Sequence, residues 1–347
     1  MDEIELLRTI GREIPSADPA TKRAARGALL AHASATSARQ RGLPWPRLDF
    51  GRPRLLVVIA ALTIVSVLAS GFLPLGLRPD PASAAVLNRV ADVAAEQPDG
   101  PKDGYRHTKS EGAHLSGVSG TPDHPDPIWA LVPESREIWI KPDGSGRIIE
   151  SRGEPIWFGP ADRTAWQAAG SPDLRGKPYS DTRFGPTPPG ADRSVPQAGP
   201  GSLYYQDIDS IPTDVGALRR LIDGRAAAMG SATDYERFTI VGDLLRETVA
   251  APKVRAALYR VAAGLGGIDL IGSITDRTGR TGTAVSMTGA QSSRGLERRI
   301  LIFDPQNSVL LAEEDVLLNK LDSLDAQPPI VIGYDTYLVS EIVPTIP

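Results

Sequence analysis

The chain contains no cysteine. That excludes disulfides, thiolate zinc sites and a lipid anchor attached through cysteine, and it fits an exported bacterial domain that folds without oxidation chemistry. Histidine is scarce as well, with four in 347 residues. The formal net charge of −4 is too small to draw the chain to nucleic acid or to anionic lipid. No Gly-x-Ser-x-Gly elbow, Ser-x-x-Lys, His-Glu-x-x-His or phosphate-cradling Gly-Lys-Ser/Thr loop occurs. No catalytic, cofactor-binding or metal-ligating residue is therefore assigned, no cofactor is expected, and the chain reads as non-enzymatic.

What the chain does have is one long apolar run, Leu55 to Leu75, without a charged residue. At ~1.5 Å per residue it spans the ~30 Å hydrocarbon core of a bilayer. Its Leu, Ile, Val and Phe residues each favour insertion by about 0.3–0.6 kcal/mol, which outweighs Ser66, Ser70 and Gly71. Arg39, Arg41, Arg47, Arg52 and Arg54 precede the run, and only Arg78 follows it closely. Basic flanks stay in the cytoplasm, so the sequence predicts a single-pass protein of the cell membrane. Residues 1–54 are its cytoplasmic tail, 55–75 its transmembrane helix and 76–347 its extracytoplasmic domain. A leader peptide cleaved near Pro81 to Ala85 is the competing reading; the late start and length of the run argue against it.

In the tail, Ile4, Leu7, Ile10 and Ile14 lie at helical spacing, and Ser16 or Asp18 can cap a second helix from Pro19 to about Ser37. Two such short helices make no core alone, so the tail is either a docking segment or a solvated one. Beyond the run, Ala82 to Glu96 reads as a helix, with Val86, Leu87, Val90 and Val93 on one face. A β-rich region starts at Gly104 to Ser110. Arg136 to Ser151 reads as a hairpin around PDGSG, Glu154 to Gly159 as a neighbouring strand and Asp162 to Ala169 as a short helix. Residues 171–201, rich in Pro, Gly and Asp, read as a long loop.

Helices resume at Thr213 to Met229 with Thr213 as cap, at Asp234 to Thr248 and at Pro252 to Leu265. The Gly264, Gly266 and Gly267 cluster ends the last of these, so it reads as a C-cap and not a nucleotide loop. Strands follow at Ile268 to Asp276, Thr281 to Thr288, Arg298 to Asp304, Val309 to Val316 and Tyr334 to Val343. The 31 prolines and 34 glycines also argue against a helical bundle. The predicted fold class of the exterior domain is α+β, a mostly antiparallel sheet with helices gathered on one face.

Several segments occur in a characteristic order: REIWIKPDGSGRIIES, SIPTDVGALRRLIDGR, the run from DLLRETVAAPKVRAALYR through GIDLIGSITDRTGRTGTAVS, and LIFDPQNSVLL. Together with DEIELLR near the start, they resemble an uncharacterised actinobacterial family of single-pass membrane proteins often encoded beside extracytoplasmic-function sigma factors. The resemblance implies the architecture and a regulatory link, with no site residues to transfer. The order of exterior elements is also similar to the curved-sheet fold of lipoprotein carriers and of periplasmic sensors that regulate sigma factors. Many membrane anti-sigma factors bind zinc through a histidine and two cysteines. Here His32 is the only histidine of the tail and cysteine is absent, which excludes that device.

Three features of the exterior could carry chemistry. His107, His114 and His124, with Asp123 and Asp126, fit no compact ligand spacing and read as exposed loop histidines. Glu313 and Glu314 are adjacent, so on a strand they point to opposite faces and make a poor acid/base couple. Trp129, Trp139, Trp157 and Trp166 either line a groove for lipid or peptide or pack within the sheet.

The leading functional expectation is a membrane-anchored regulator or sensor whose residues 1–50 engage a sigma factor or another regulatory protein. The alternative is a surface module that binds lipid, peptide or glycan without signalling. A structural envelope protein is the third reading.

Overall fold

The computed structural model describes residues 79–101, 103–119, 126–186, 210–247, 249, 251–291 and 294–347. The two tail helices, the apolar run 55–75, His32, Asp123 and His124 lie outside these residues. Among the described residues no helix is long and apolar enough to cross a membrane.

The first element among the described residues is helix α1, Pro81–Glu96. Asp80 caps it by accepting from the Ser83 amide at 2.8 Å, and proline occupies the first turn. Its buried face is Ser83, Leu87, Val90, Ala91 and Ala94, with Val86 packed at its margin. Compared with the expected face, the small alanines replace Val93, which lets a neighbouring helix come close.

Three long antiparallel strands follow: β1 Tyr105–Val118, β2 Ile128–Ile140 and β3 Gly146–Arg152. The β2–β3 turn closes through Lys141 and Ser145, with Gly144 at φ 86° and Asp143 accepting from the Ser145 amide. Glu154 to Gly159 does run beside β2, but only as a single bridge between Leu131 and Ile156. Pro155 supplies no amide, and Ile156 is 49% exposed, so nothing extends the pairing.

Helix α2 spans Pro160–Ala168. Strand β4, Tyr179–Phe184, then lies inside the stretch expected to be loop and pairs with β3. Its side chains are exposed or half-buried, so it has no apolar alternation to read. Backbone pairing and a bidentate Arg147–Asp181 contact hold it at the sheet edge.

Helices α3 Val215–Ala228, α4 Asp234–Glu247 and α5 Pro252–Ala263 carry the chain across one face of the sheet. The cap of α3 is Asp214, not Thr213: its carboxylate accepts from the Ala217 amide at 2.8 Å. Asp214→Ala is expected to lower stability by about 1 kcal/mol, whereas Thr213→Ala leaves it unchanged. Urea midpoints of the two variants decide between the caps. Helix α5 is buried nearly all round, from Val254 to Ala263, and forms the centre of the helical layer. Gly264 caps it, Gly267 follows at φ 82°, and the Gly266 amide donates to Asp234 of α4, which agrees with the C-cap reading.

The chain finishes in a meander: β5 Ile268–Thr275, β6 Thr281–Gln291, β7 Gly295–Phe303, β8 Leu310–Leu317 and β9 Ile330–Val343. The nine strands among the described residues form one antiparallel sheet in the order β4-β3-β2-β1-β9-β8-β7-β6-β5. The first four strands step outward to one edge. The helices then carry the chain over to the opposite edge, and the last five strands step back until β9 pairs with β1.

Alternation along these strands makes two apolar surfaces. Val285, Met287, Leu301 and Phe303 join the helices in the main core, whereas Ala284, Ile300 and Ile302 cluster with Leu311 and Val316 on the other side. The α+β class with helices gathered on one face therefore holds for α1, α3, α4 and α5.

Candidate functional site

Strands β8 and β9 share their ladder only from Ala312↔Thr336 to Leu317↔Ile330. Leu311 is a bulge against β7, and Leu338 is a bulge against β1. From Tyr337 to Val343, β9 has β1 as its only strand neighbour among the described residues. The carbonyls of Leu311 and Tyr337 are both taken by Arg280, at 2.8 Å each. Arg280 is itself fixed by Asp276, which is 3% exposed and accepts from Thr278, from the Arg280 amide and from the guanidinium. Burial alone would raise the Asp276 carboxyl, but these donors hold it below its usual value.

A buried ionic cluster lies on the helix side of this parting. Glu313, 4% exposed, takes Arg299 on Oε2 at 2.7 Å and both Arg246 and Tyr337 on Oε1 at 2.8 Å. Asp243 of α4 lies 3.1 Å from Arg246 and 3.3 Å from Arg299, and Asp315 lies 3.8 Å from Arg299. Burial pushes the Glu313 carboxyl upward, yet the two guanidinium groups overcome it and hold the pKa at about 2. For Asp243 and Asp315 burial prevails, and both are raised. Burial works against the Arg299 charge too, but the three acids keep its pKa well above the usual value. Gly242 brings α4 close to the cluster: a Cβ there would sit 3.2 Å from Leu301 and 3.5 Å from both Arg299 Nε and Glu313 Oε2.

Beside the overhang of β9 a pocket of about 780 Å3 opens between Arg106 and Ile342 of the sheet, the 97–101 segment and the start of α5. Arg106 is 8% exposed. The Arg255 guanidinium reaches Gln97 Oε1 at 2.6 Å and Ser308 Oγ at 3.3 Å, and burial lowers its pKa. The remaining wall is largely apolar, with Pro98, Pro101, Ile211, Val254 and Ile342. Two acids also border the pocket. Glu341 is 57% exposed and contacts His107, and Asp99 is 56% exposed beside Lys253. Arg255 and Ser340 also border a second void of about 30 Å3, whose wall includes Arg246 and Tyr337. That is room for a single water, and its walls are shared between the pocket (Arg255, Ser340) and the partners of Glu313 (Arg246, Tyr337).

His107 and His114 are not loop residues. His107 is on β1, stacked on Trp139 at 4.7 Å and set between Glu137 at 2.9 Å and Glu341 at 3.3 Å. His114 is also on β1, 3.2 Å from Asp335. Their strand is polar on its open face, so it lacks the apolar alternation that would have placed them. Among the described residues no group of His, Asp and Glu could hold a metal ion.

Glu313 and Glu314 do point to opposite faces, Glu313 to the ionic cluster and Glu314 to Arg277 at 3.0 Å. Trp129, Trp139, Trp157 and Trp166 fall into three environments. Trp129 packs with Leu115 and Phe158, Trp139 stacks on His107, and Trp157 lies 5.1 Å from Trp166 above Leu174.

The ionic cluster itself was missed from sequence. Its signal was present: RR interrupts the apolar run of β7, and EED interrupts that of β8. Opposite charges in the middle of two buried strands imply pairing between them. No family model, no curated protein and no solved structure matches this chain.

Proposed function

We propose that this chain is a membrane-anchored, non-enzymatic regulator or sensor. In this reading Leu55 to Leu75 is the single transmembrane helix, residues 1–54 are cytoplasmic, and the α+β domain lies outside the cytoplasm with a sheet curved as in lipoprotein carriers. Ligand occupancy of the outer pocket is the input, and binding of a sigma factor or another regulatory protein to residues 1–50 is the output. The observation that supports it is that residues of the pocket wall and of the ionic cluster line one small void. Arg255 and Ser340 face the 780 Å3 pocket on one side and the small void beside Arg246 and Tyr337 on the other. A ligand that moves them acts on a cluster that ties α4 to β7, β8 and β9.

The test replaces residues 1–50 with an unrelated basic tail and keeps the rest of the chain. Loss of partner pull-down and altered transcription of the partner's targets are expected. Unchanged transcription with the swapped tail would favour the surface binding module without a signalling role.

A further inference from the structure

We infer that the 780 Å3 pocket takes a single-tailed amphiphile with an anionic head, seated between Arg106 and Arg255. The inference rests on the pocket being the input site proposed above, and goes further by naming what enters it. The volume lies in the range of pockets that enclose small ligands, ~300–1,000 Å3.

Charge is divided unequally within it. The two guanidinium groups are inside, Arg106 on the sheet floor and Arg255 on the α5 wall. The two acids are more than half exposed, Asp99 beside Lys253 and Glu341 beside the His107 ring. An anionic head entering from solvent therefore meets the two guanidinium groups at depth, while Lys253 offsets Asp99 at the rim and Glu341 turns with His107 to the opposite sheet face. Arginine suits carboxylate and phosphate equally, because its planar fork presents paired donors to either.

The apolar body also has a place. Pro98 and Pro101 lie along the linker from α1, Val254 on α5, and Ile342 pairs across from Arg106 on the same sheet face. A tail laid along them leaves water at ~25 cal/mol per Å2 of apolar surface, whereas a small free anion has no use for that wall. The pocket's mixed lining thus favours an amphiphile over inorganic phosphate or acetate.

The experiment uses the full-length protein in phosphatidylcholine nanodiscs. Its probes are a photoreactive diazirine dodecanoate, the matching dodecanol and a single-tailed alkyl phosphate, with sites of labelling mapped by mass spectrometry. Labelling by the carboxylate or the phosphate at residues 97–106, 251–255 and 340–342 is expected, at least tenfold above that by the alcohol. The ratio of the two anionic arms tells a fatty carboxylate from a phosphate headgroup.

Arg255→Gln should reduce labelling about tenfold, and Arg255→Lys should retain part of it. Ile342→Asp places a carboxylate opposite Arg106 and should compete with the head even if Arg255→Gln fails to fold. Equal labelling by alcohol and carboxylate, or full labelling of a folded Arg255→Gln protein, overturns the inference. Since the readout is independent of residues 1–50, a negative result here leaves the regulatory reading to its own test.

Discussion

Glu313→Ala is expected to cost about 3–5 kcal/mol, a large share of the roughly 5–15 kcal/mol that holds a domain folded. Truncation removes the acceptor of three donors at once and leaves Arg299 with Asp243 at 3.3 Å as its nearest acid. Arg299 is only 8% exposed, so solvent cannot replace the lost partner. Glu313→Gln keeps an acceptor for Tyr337 and should cost less.

The acid limb of the stability profile follows from the same residue. A carboxylate held at about 2 in the folded protein, against 4.5 in an open chain, contributes stability above 4.5. That contribution is lost as pH falls from about 4.5 toward 2. Asp243 and Asp315 act in the opposite sense. Their raised values oppose folding near neutrality, and the opposition fades as pH falls through them. The expected profile therefore peaks on the acid side of neutral and drops below about pH 4.5, with a shallower drop in Glu313→Gln. Urea unfolding of the purified full-length protein from about pH 8 to about pH 3 measures both. A cost below about 1 kcal/mol for Glu313→Ala would mean that the cluster contributes little to stability.

Phe238→Ala should be equally disruptive for a different reason. Phe238 is fully buried in the main core, on the helix that packs against α3 and α5 and against β6 and β8. Losing the ring removes its transfer free energy and leaves a cavity that the rigid sheet cannot close, about 3–5 kcal/mol together. In a domain of this size that lowers the melting temperature by about 6–20 °C. Differential scanning calorimetry reads it directly, and the ionic cluster should keep its acid limb in this variant. A shift under about 3 °C would show that the helical layer closes over the lost ring.

Where the sequence was legible, a strong local pattern met its own punctuation. Helix α5 had proline at its start and glycines at its end, and the β2–β3 hairpin had alternation up to the PDGSG turn; both lie where expected. Strand β4 and the outer half of β1 were not legible, because their burial is set by neighbours and not by their own residues. β1 was expected to begin near Gly104 but not to run on to Val118, since HTKSEGAH carries few apolar side chains. The pocket was illegible for a related reason. Arg106, Arg255 and Ile342 belong to three separate segments, and only the pairing of β1 with β9 and the placing of α5 bring them together. Asp214 took the cap from Thr213 by a single residue, within the reach of either side chain in an unfolded chain.

The pairing of β1 with β9 also sets an order of assembly. Arg106 waits for Ile342, so the middle of the sheet is completed only by a strand that follows all the others in the chain. Until then β1 presents an open edge next to β2, β3 and β4, and β8 presents the facing one next to β7, β6 and β5. Long-range closure of this kind is slow and leaves pairing edges exposed to other chains. A half-made copy is thus poised to join its neighbours, and a holding chaperone that masks β1 would raise the yield of the finished fold.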